Sequence, residues 1–172
     1  MRTEKQLTNN KYLNIKEIHD PEIHVGGYQY AERRGKDSIA FICYDSGPEQ
    51  FLVNLEYKPP VNLMLLSAFG GSMDSNKTPL QIVIGELKEE AGYEVPLEKI
   101  NYLGKVFVST QMNQFCYLYL VLVDKEKQGE RKPENAIEEM ARATWISYSD
   151  IYRLEDWKAI TIVGLAHDRG II

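Results

Sequence analysis

The sequence has few cysteines, no excess of positive charge and no long hydrophobic run. Its two cysteines, Cys43 and Cys116, lie in apolar strand-like segments, which is typical of buried free thiols in a reducing compartment. The 20 Lys and Arg residues are outnumbered by 25 Asp and Glu residues, for a net charge of −5, which argues against a sequence-independent nucleic-acid binder. No export signal is visible, and no apolar window approaches the ~18 residues of a membrane span. We therefore expect a cytoplasmic protein that does not bind membranes.

Length and composition predict one compact folding unit. The chain has 172 residues, of which 44% are hydrophobic, and a chain of this size buries roughly 70% of the surface that its unfolded form exposes. Alternating segments at residues 11–19 and 27–34 predict an amino-terminal strand pair. Residues 39–44 and 51–57 predict a hairpin across a turn that contains glycine and proline, and an apolar stretch follows at residues 61–69.

The carboxy-terminal half continues the alternation of strands and helices. Strands are expected at residues 115–123 and 143–147, and the charged segment between them, residues 124–139, predicts a long exposed loop. Residues 156–167 predict a final helix, on which the spacing of Trp157 favours packing in the core. Together these elements indicate an α/β protein.

The most clearly specified element is a helix over residues 79–91. Thr78 provides an N-cap oxygen, Pro79 suits the first helical position, and Gln81 completes a capping box. Gly92 follows the last apolar position of the periodic pattern, where a left-handed conformation ends a helix. The local sequence therefore predicts both ends of this helix.

Three glutamates, Glu86, Glu89 and Glu90, share one patch on this helix. Like charges at this spacing repel by a few tenths of a kcal/mol per pair, and the carboxyl end of a helix disfavours anions further. A solvated acidic face is the alternative interpretation. Converging carboxylate oxygens are, however, the ligands that Mg²⁺ or Mn²⁺ prefers. The pattern therefore favours a divalent metal site.

The segment from Gly71 to Tyr93 resembles the Nudix box, which reads Gly, five residues, Glu, seven residues, Arg-Glu-aliphatic-x-Glu-Glu-x-Gly-aliphatic. The residues at pattern positions are Gly71, Glu86, Leu87, Glu89, Glu90 and Gly92. Two positions differ, because Lys77 stands where the first Glu is expected and Gly85 stands where the Arg is expected. The resemblance implies that this Glu and Arg brace the loop and orient the metal-binding carboxylates. Both halves of that brace are replaced in this chain.

The wider sequence is most similar to the ADP-ribose and nucleoside-diphosphate-sugar pyrophosphatase branch of this family. The resemblance implies an α/β/α sandwich around a mixed sheet, with an amino-terminal strand pair in residues 1–35 and a Nudix domain in residues 36–172. Lys58, in the segment LEYKPP, takes the position of a phosphate-contacting Arg of the branch. Gln114 takes the position of a Glu in the loop after the box.

This resemblance also implies an activity, the Mg²⁺-dependent hydrolysis of the pyrophosphate in a nucleoside diphosphate linked to a sugar or another moiety. Glu86, Glu89 and Glu90 would hold Mg²⁺, with Mn²⁺ as a possible substitute. The backbone carbonyl of Gly70 would be a further ligand. A plain turn glycine is the alternative interpretation of Gly70.

The resemblance also implies a general base from the acidic segment that precedes the strand at residues 143–147. The candidates are Glu134, Glu138 and Glu139, among which Glu139 is favoured. The alternative for each of them is a solvated acidic side chain.

The amino-terminal strands predict an association with a second copy. They carry apolar positions that a peripheral strand pair leaves exposed, namely Tyr12, Leu13, Tyr28 and Tyr30. The resemblance implies a homodimer through these strands, in which Arg33 or Arg34 contacts the phosphate or adenine of the substrate. Plain surface charge is the alternative for both arginines.

The departures from the box leave a second class of function open. Lys77, Gly85 and Gln114, together with the unusual loop STQMNQ, are also typical of a catalytically weak or inactive relative. Such a protein would bind a nucleotide as a sensor or as a partner of another protein.

Overall fold

The computed structural model describes residues 1–35, 37–133 and 135–172. Its strands are β1 (Thr3–Gln6), β2 (Leu13–Asp20), β3 (Val25–Arg33), β4 (Ser38–Asp45), β5 (Gln50–Lys58), β6 (Leu63–Ser67), β7 (Phe69–Ser72), β8 (Ile100–Ser109), β9 (Met112–Leu122) and β10 (Arg142–Ser147). Its α-helices are α1 (Pro79–Glu86), α2 (Ala136–Met140) and α3 (Trp157–Asp168). A π-helical turn, Leu87–Ala91, continues α1 directly.

The described strands form one mixed sheet in the order β1-β2-β3-β9-β4-β5-β10, with β6 beside β5, β7 beside β4 and β8 beside β9. The central strands β4 and β9 run parallel and pair over their whole overlap, from Ser38 with Cys116 to Tyr44 with Leu122. The amino-terminal strands join this sheet through β3, which pairs with β9 in parallel at Ala31 and Met112.

Helices cover both faces of the central sheet. Alternate residues of a strand point to opposite faces, and β4 is apolar at every position from Ile39 to Tyr44, which is typical of a strand buried on both sides. Ile39 and Phe41 pack on the side of α1, whereas Ala40 and Ile42 pack on the side of α3. The predicted α/β/α sandwich around a mixed sheet is confirmed.

The helix predicted over residues 79–91 is confirmed in extent, with a difference in its last turn. The Thr78 hydroxyl accepts a hydrogen bond from the Gln81 N–H, and the Gln81 side chain accepts one from the Thr78 N–H. Gly92 ends the helix with a φ of 77°. The final turn is π-helical and therefore wider than an α turn. Glu90 within it is buried, although the α-helical pattern predicts a flank position.

Two other segments differ from the sequence prediction. The apolar stretch at residues 61–69 is divided into β6 and β7, because the N–H of Ala68 turns away to donate to the Asp156 carboxylate at 2.7 Å. The segment at residues 124–139 is not one loop, since it contains a 3₁₀ turn and the start of α2. Within the described residues, the longest α-helix is α3 with 12 residues, and no helix is long and apolar enough to cross a membrane.

Candidate active site

A cleft of about 830 Å³ lies over strands β4, β5, β7 and β9 and beside the first turn of α3. It brings together six of the candidate catalytic, binding and metal-ligating residues predicted from the sequence, namely Arg33, Lys58, Gly70, Glu90, Gln114 and Glu138. They come from six different elements, so only the fold assembles them. The cleft is therefore the candidate active site.

Glu90 occupies a buried position at the edge of this cleft. It is 7% exposed, and its Oε2 atom has no hydrogen-bond partner among the described residues. Burial first, and then the negative charges of Glu86, Glu56 and Glu138, raise the pKa of Glu90 to about 8, whereas the charge of Arg131 acts in the opposite direction. A buried carboxylate surrounded by other carboxylates is destabilised unless a cation or a proton neutralises it.

Glu86 lies against the backbone of the glycine pair that opens the box. A Cβ atom added to Gly71 would lie 2.5 Å from Glu86 Oε1 and 2.7 Å from Ile82 Cγ2. Glycine is therefore required at position 71 for the Glu86 carboxylate to approach the strand. This contact holds Glu86 beside β7, the strand that also carries Gly70.

Glu89 is half-buried on the outer side of the same turn. Its Oε1 atom lies 4.0 Å from the position that a Cβ atom on Gly85 would occupy, with no other atom as close outside the helix's own backbone. Gly85 therefore leaves open space next to Glu89.

The cations of the cleft come from three elements. The Arg33 Nη2 atom donates to the Ser72 hydroxyl at 2.6 Å, Lys58 pairs with Glu56 at 2.5 Å, and Lys158 lies at the start of α3. Arg34, by contrast, is exposed and is not among the residues that line the cleft. The structure thus distinguishes the two neighbouring arginines, which the sequence leaves equivalent.

The acidic segment places one of its candidate bases in the cleft. Glu138 lines it, whereas Glu139 is exposed and is not among the lining residues. Glu134 lies outside the described residues. Gln114 is buried in β9, where its Nε2 atom donates to the Ser38 hydroxyl at 3.1 Å.

Comparison with known proteins decides the family. The sequence matches the NUDIX domain over residues 36–163. The chain belongs to the Nudix family. A solved structure described as "Crystal structure of ADP compounds hydrolase" superposes with a TM-score of 0.71, covering 96% of this chain and 90% of that chain. Its sequence identity is 12%, so this likeness supports the fold alone. No curated protein sequence matches.

The prediction of a Nudix-type pyrophosphohydrolase is confirmed by this membership. Nudix enzymes generally use divalent metals, and the donor set of this Nudix chain fits such an ion. The buried Oε2 atom of Glu90 lacks a partner among the described residues, and Glu86 is held nearby. Across the described part of the chain, no three His, Cys, Asp or Glu side chains already converge into a complete ligand set.

Several lining residues of this Nudix cleft were missed by the sequence analysis. Trp157 is 40% exposed and lines the cleft, so its predicted place in the core is wrong. The reason is that α3 begins at the cleft, so its first residue lies at the rim and not in the core. Glu56 and Asn135 also line the cleft. An available signal was the alternation of β5, which puts Glu56 on the same face as Lys58.

Replacing Gly71 with Ala is expected to lower the activity of this Nudix enzyme severely. The new Cβ atom overlaps the Glu86 carboxylate and Ile82, so either the side chain or α1 must shift. Gly164→Ala is the matched control, because a Cβ atom at Gly164 meets open space. Steady-state turnover and the melting temperature (Tm) should be measured for both variants. Wild-type turnover in G71A would contradict the assigned contact.

Proposed function

We propose that this protein uses Mg²⁺ to hydrolyse the pyrophosphate of a nucleoside diphosphate linked to a sugar or another moiety, as in ADP-ribose. The observation that carries the proposal is the buried, unpartnered oxygen of Glu90 at the edge of a cleft that cations also line. Carboxylates suit the metal and cations suit a diphosphate. The fold likeness to a protein described as an ADP compounds hydrolase agrees with this substrate class.

Glu86, Glu89, Glu90 and the Gly70 carbonyl are the proposed metal ligands. Mg²⁺, or Mn²⁺ in its place, would supply charge neutralisation at the diphosphate and a water of lowered pKa. Relief of the repulsion around Glu90 is the physical reason for a cation to bind at this end of the cleft.

The diphosphate would be held by other side chains that line the cleft. Arg33 has its guanidinium oriented by Ser72, and a planar fork of this kind suits two phosphate oxygens. Lys58 lines the same cleft, where its ion pair with Glu56 can be exchanged for a phosphate contact. The exposed indole of Trp157 offers a flat surface for a base or sugar ring. Gln114 would contribute a neutral polar contact.

Glu138 is the proposed general base. It lines the cleft, and the N–H of Glu138 donates to the Asn135 side chain at 3.1 Å, which fixes the start of α2. In the proposed step, the Glu138 carboxylate accepts a proton from the water whose oxygen bonds to phosphorus, the bond from that phosphorus to the bridging oxygen breaks, and the other phosphate leaves as a monoester with the bridging oxygen. Glu139, which the sequence favours, is exposed and does not line the cleft.

The decisive experiment is a hydrolysis screen with ADP-ribose and a panel of nucleoside-diphosphate sugars, with and without Mg²⁺, in which products are separated by ion-exchange chromatography. Mg²⁺-dependent release of a nucleoside monophosphate is expected, and Glu138→Gln should lose most of it. Tight nucleotide binding without turnover of any substrate would instead favour the second candidate, a sensor or partner protein. The observation that favours this candidate is that Lys77 and Gly85 replace the Glu and Arg of the box.

A homodimer through residues 1–35 is also proposed, with residues 36–172 as the Nudix domain. Tyr12, Leu13 and Tyr28 are 62%, 46% and 42% exposed on these strands, so a second copy would cover a substantial apolar surface. Tyr30 does not contribute, because it is buried and its hydroxyl donates to Glu4 at 2.6 Å. In this dimer the exposed Arg34 would face the partner's substrate.

Deleting residues 1–26 is expected to dissociate this dimer and to weaken substrate binding at the same time. Light scattering at micromolar concentration gives the mass, and titration with a non-hydrolysed nucleotide gives the affinity. A monomeric wild-type chain would rule out the dimer. Unchanged affinity in a dissociated variant would place the cleft wholly within one copy.

A cytoplasmic location is proposed on the basis of the two thiols. Cys43 and Cys116 are free and buried, and burial raises the pKa of both. Buried thiols of this kind form no disulfide, and cysteines left without disulfides are typical of a reducing compartment.

A further inference from the structure

The segment of residues 128–132, called the strap below, crosses the carboxyl end of the helix that carries the three glutamates. A helix leaves its last carbonyls without partners inside the helix. Three consecutive carbonyls here accept hydrogen bonds from the strap: Glu89 O from Lys132 N at 2.8 Å, Glu90 O from Arg131 Nε at 2.5 Å and Ala91 O from Gln128 Nε2 at 3.0 Å. The strap therefore caps the end of the helix from outside.

The strap and the helix end are in direct backbone contact. The N–H of Gly129 donates to the Gly92 carbonyl at 2.8 Å, and a Cβ atom on Gly92 would lie 2.6 Å from the Gly129 carbonyl oxygen. Gly92 also has a φ of 77°, which favours glycine independently. Because no side chain separates the two backbones at this point, a shift of the strap is transmitted directly to the helix.

Arg131 extends this contact to a third element. Its guanidinium donates to the Glu90 carbonyl, to the Ala141 carbonyl at 2.5 Å and to the Glu138 carbonyl at 3.3 Å. The Ala141 carbonyl lies just after α2, and the Glu138 carbonyl lies within it. One side chain thus joins the backbone of Glu90 to the helix that places Glu138 in the cleft, and the rigid fork of an Arg suits three acceptors in fixed directions.

The same place is where the helix most needs external support. The negative charges of Glu86, Glu56 and Glu138 act on Glu90, so mutual repulsion tends to spread these side chains apart. Gly85 lies just before the π-helical turn, and a glycine inside a helix costs roughly 1 kcal/mol relative to alanine. Charge repulsion and Gly85 therefore destabilise the turn that bears Glu89 and Glu90, and the hydrogen bonds from the strap stabilise it.

We propose that Arg131 is a positioning residue, which fixes Glu90 and Glu138 relative to each other so that the metal and the attacking water meet in one place. This rests on the proposed function. The hydrogen bonds of Arg131 described above all go to backbone carbonyls, its charge also lowers the pKa of Glu90, and it does not itself line the cleft.

The test is Mn²⁺ affinity, measured without substrate by electron paramagnetic resonance, for the wild type, R131M and R131K. R131M is expected to weaken Mn²⁺ binding by about 10- to 100-fold, the usual effect of losing a group that orients metal ligands. R131K keeps the charge but loses the fork, so it should resemble R131M. R153M is the matched control, since Arg153 is an exposed arginine that pairs with Asp150, and E90Q defines the level without the site.

Kinetics of the same variants separate positioning from a general loss of stability. All measurements are made well below each variant's own metal-free Tm, so that only folded protein is compared, and R131K serves if R131M does not fold. The turnover number should fall more than KM rises. Wild-type Mn²⁺ affinity in R131M, or full rescue by Lys, would overturn the proposal.

Failure of the proposed function is recognised separately in these experiments. If the wild type binds Mn²⁺ in an E90Q-sensitive manner but hydrolyses no member of the panel, the function is wrong, and the Mn²⁺ affinities alone still decide the role of Arg131. If the wild type binds no Mn²⁺, both proposals are wrong.

Discussion

Replacing Glu90 with Gln is expected to abolish Mg²⁺-dependent hydrolysis and, in metal-free buffer at pH 8, to raise the Tm. The Glu90 pKa is about 8 in the folded protein, against 4.5 for an ordinary glutamate. The folded state therefore holds a proton that the unfolded state releases, and stability is lost as the pH rises from about 4.5 to 8. At pH 8 the penalty is roughly a few kcal/mol, which amounts to several degrees in Tm for a chain of this size.

With divalent metal present, the Tm of the wild type should exceed that of E90Q. Millimolar Mg²⁺ or Mn²⁺ should raise the Tm of the wild type, more at pH 8 than at pH 6, because metal binds the ionised carboxylate. E90Q should show neither the metal response nor the pH-dependent loss. The matched control is Glu98→Gln, an exposed glutamate remote from the cleft. A wild-type Tm that ignores both metal and pH in this window would show that Glu90 is not the uncompensated charge described above.

The second large effect is expected from restoring the two box residues together. Lys77→Glu with Gly85→Arg should raise turnover by more than the product of the single changes, because the new side chains would act as a pair. Gly85 leaves space beside Glu89, so an Arg at this position can contact that carboxylate. Gly85→Ala is the matched control, since it adds helix propensity of about 1 kcal/mol without a charge.

A double-mutant cycle of kcat/KM measures the coupling between positions 77 and 85. Multiplicative effects, with no coupling energy, would mean that these two replacements do not limit the enzyme. Adding R131M to the same cycle tests whether the restored side chains at positions 77 and 85 can replace the hydrogen bonds of Arg131 in holding the glutamates. If they do, the restored pair should recover part of the Mn²⁺ affinity that R131M loses.

The parts of the fold that sequence predicts well are those that depend on neighbouring residues. The capping box of Thr78 and Gln81 and the stop at Gly92 are local, so both ends of the glutamate helix are where the pattern puts them. The β-rich segments around Ile39 and Phe51 likewise form strands, because their apolar runs fit a sheet buried on both faces.

The parts that sequence missed depend on contacts between distant elements. The burial of Glu90 arises from the π-helical turn and from strands that meet it only in the fold. Arg131 lies 41 positions away from Glu90 in the chain and donates a hydrogen bond to its carbonyl. Every residue has a backbone carbonyl, so the sequence does not show which one a distant side chain contacts. Trp157 reads as a core residue because helical spacing alone does not show that α3 starts at the rim of a cleft.

The carboxylate of Asp156 links the sheet to α3, and this link offers a way to change the range of substrates. It accepts from Ala68 N at 2.7 Å and from Lys158 N at 3.2 Å, so one short side chain sets the gap between the sheet and α3. Asp156→Glu would lengthen this link by one methylene while leaving the glutamates of the box untouched. The distance between the sheet and α3 can thus be adjusted without changing the metal-binding glutamates. Asp156 is therefore a natural starting point for redesigning which ligands fit the cleft.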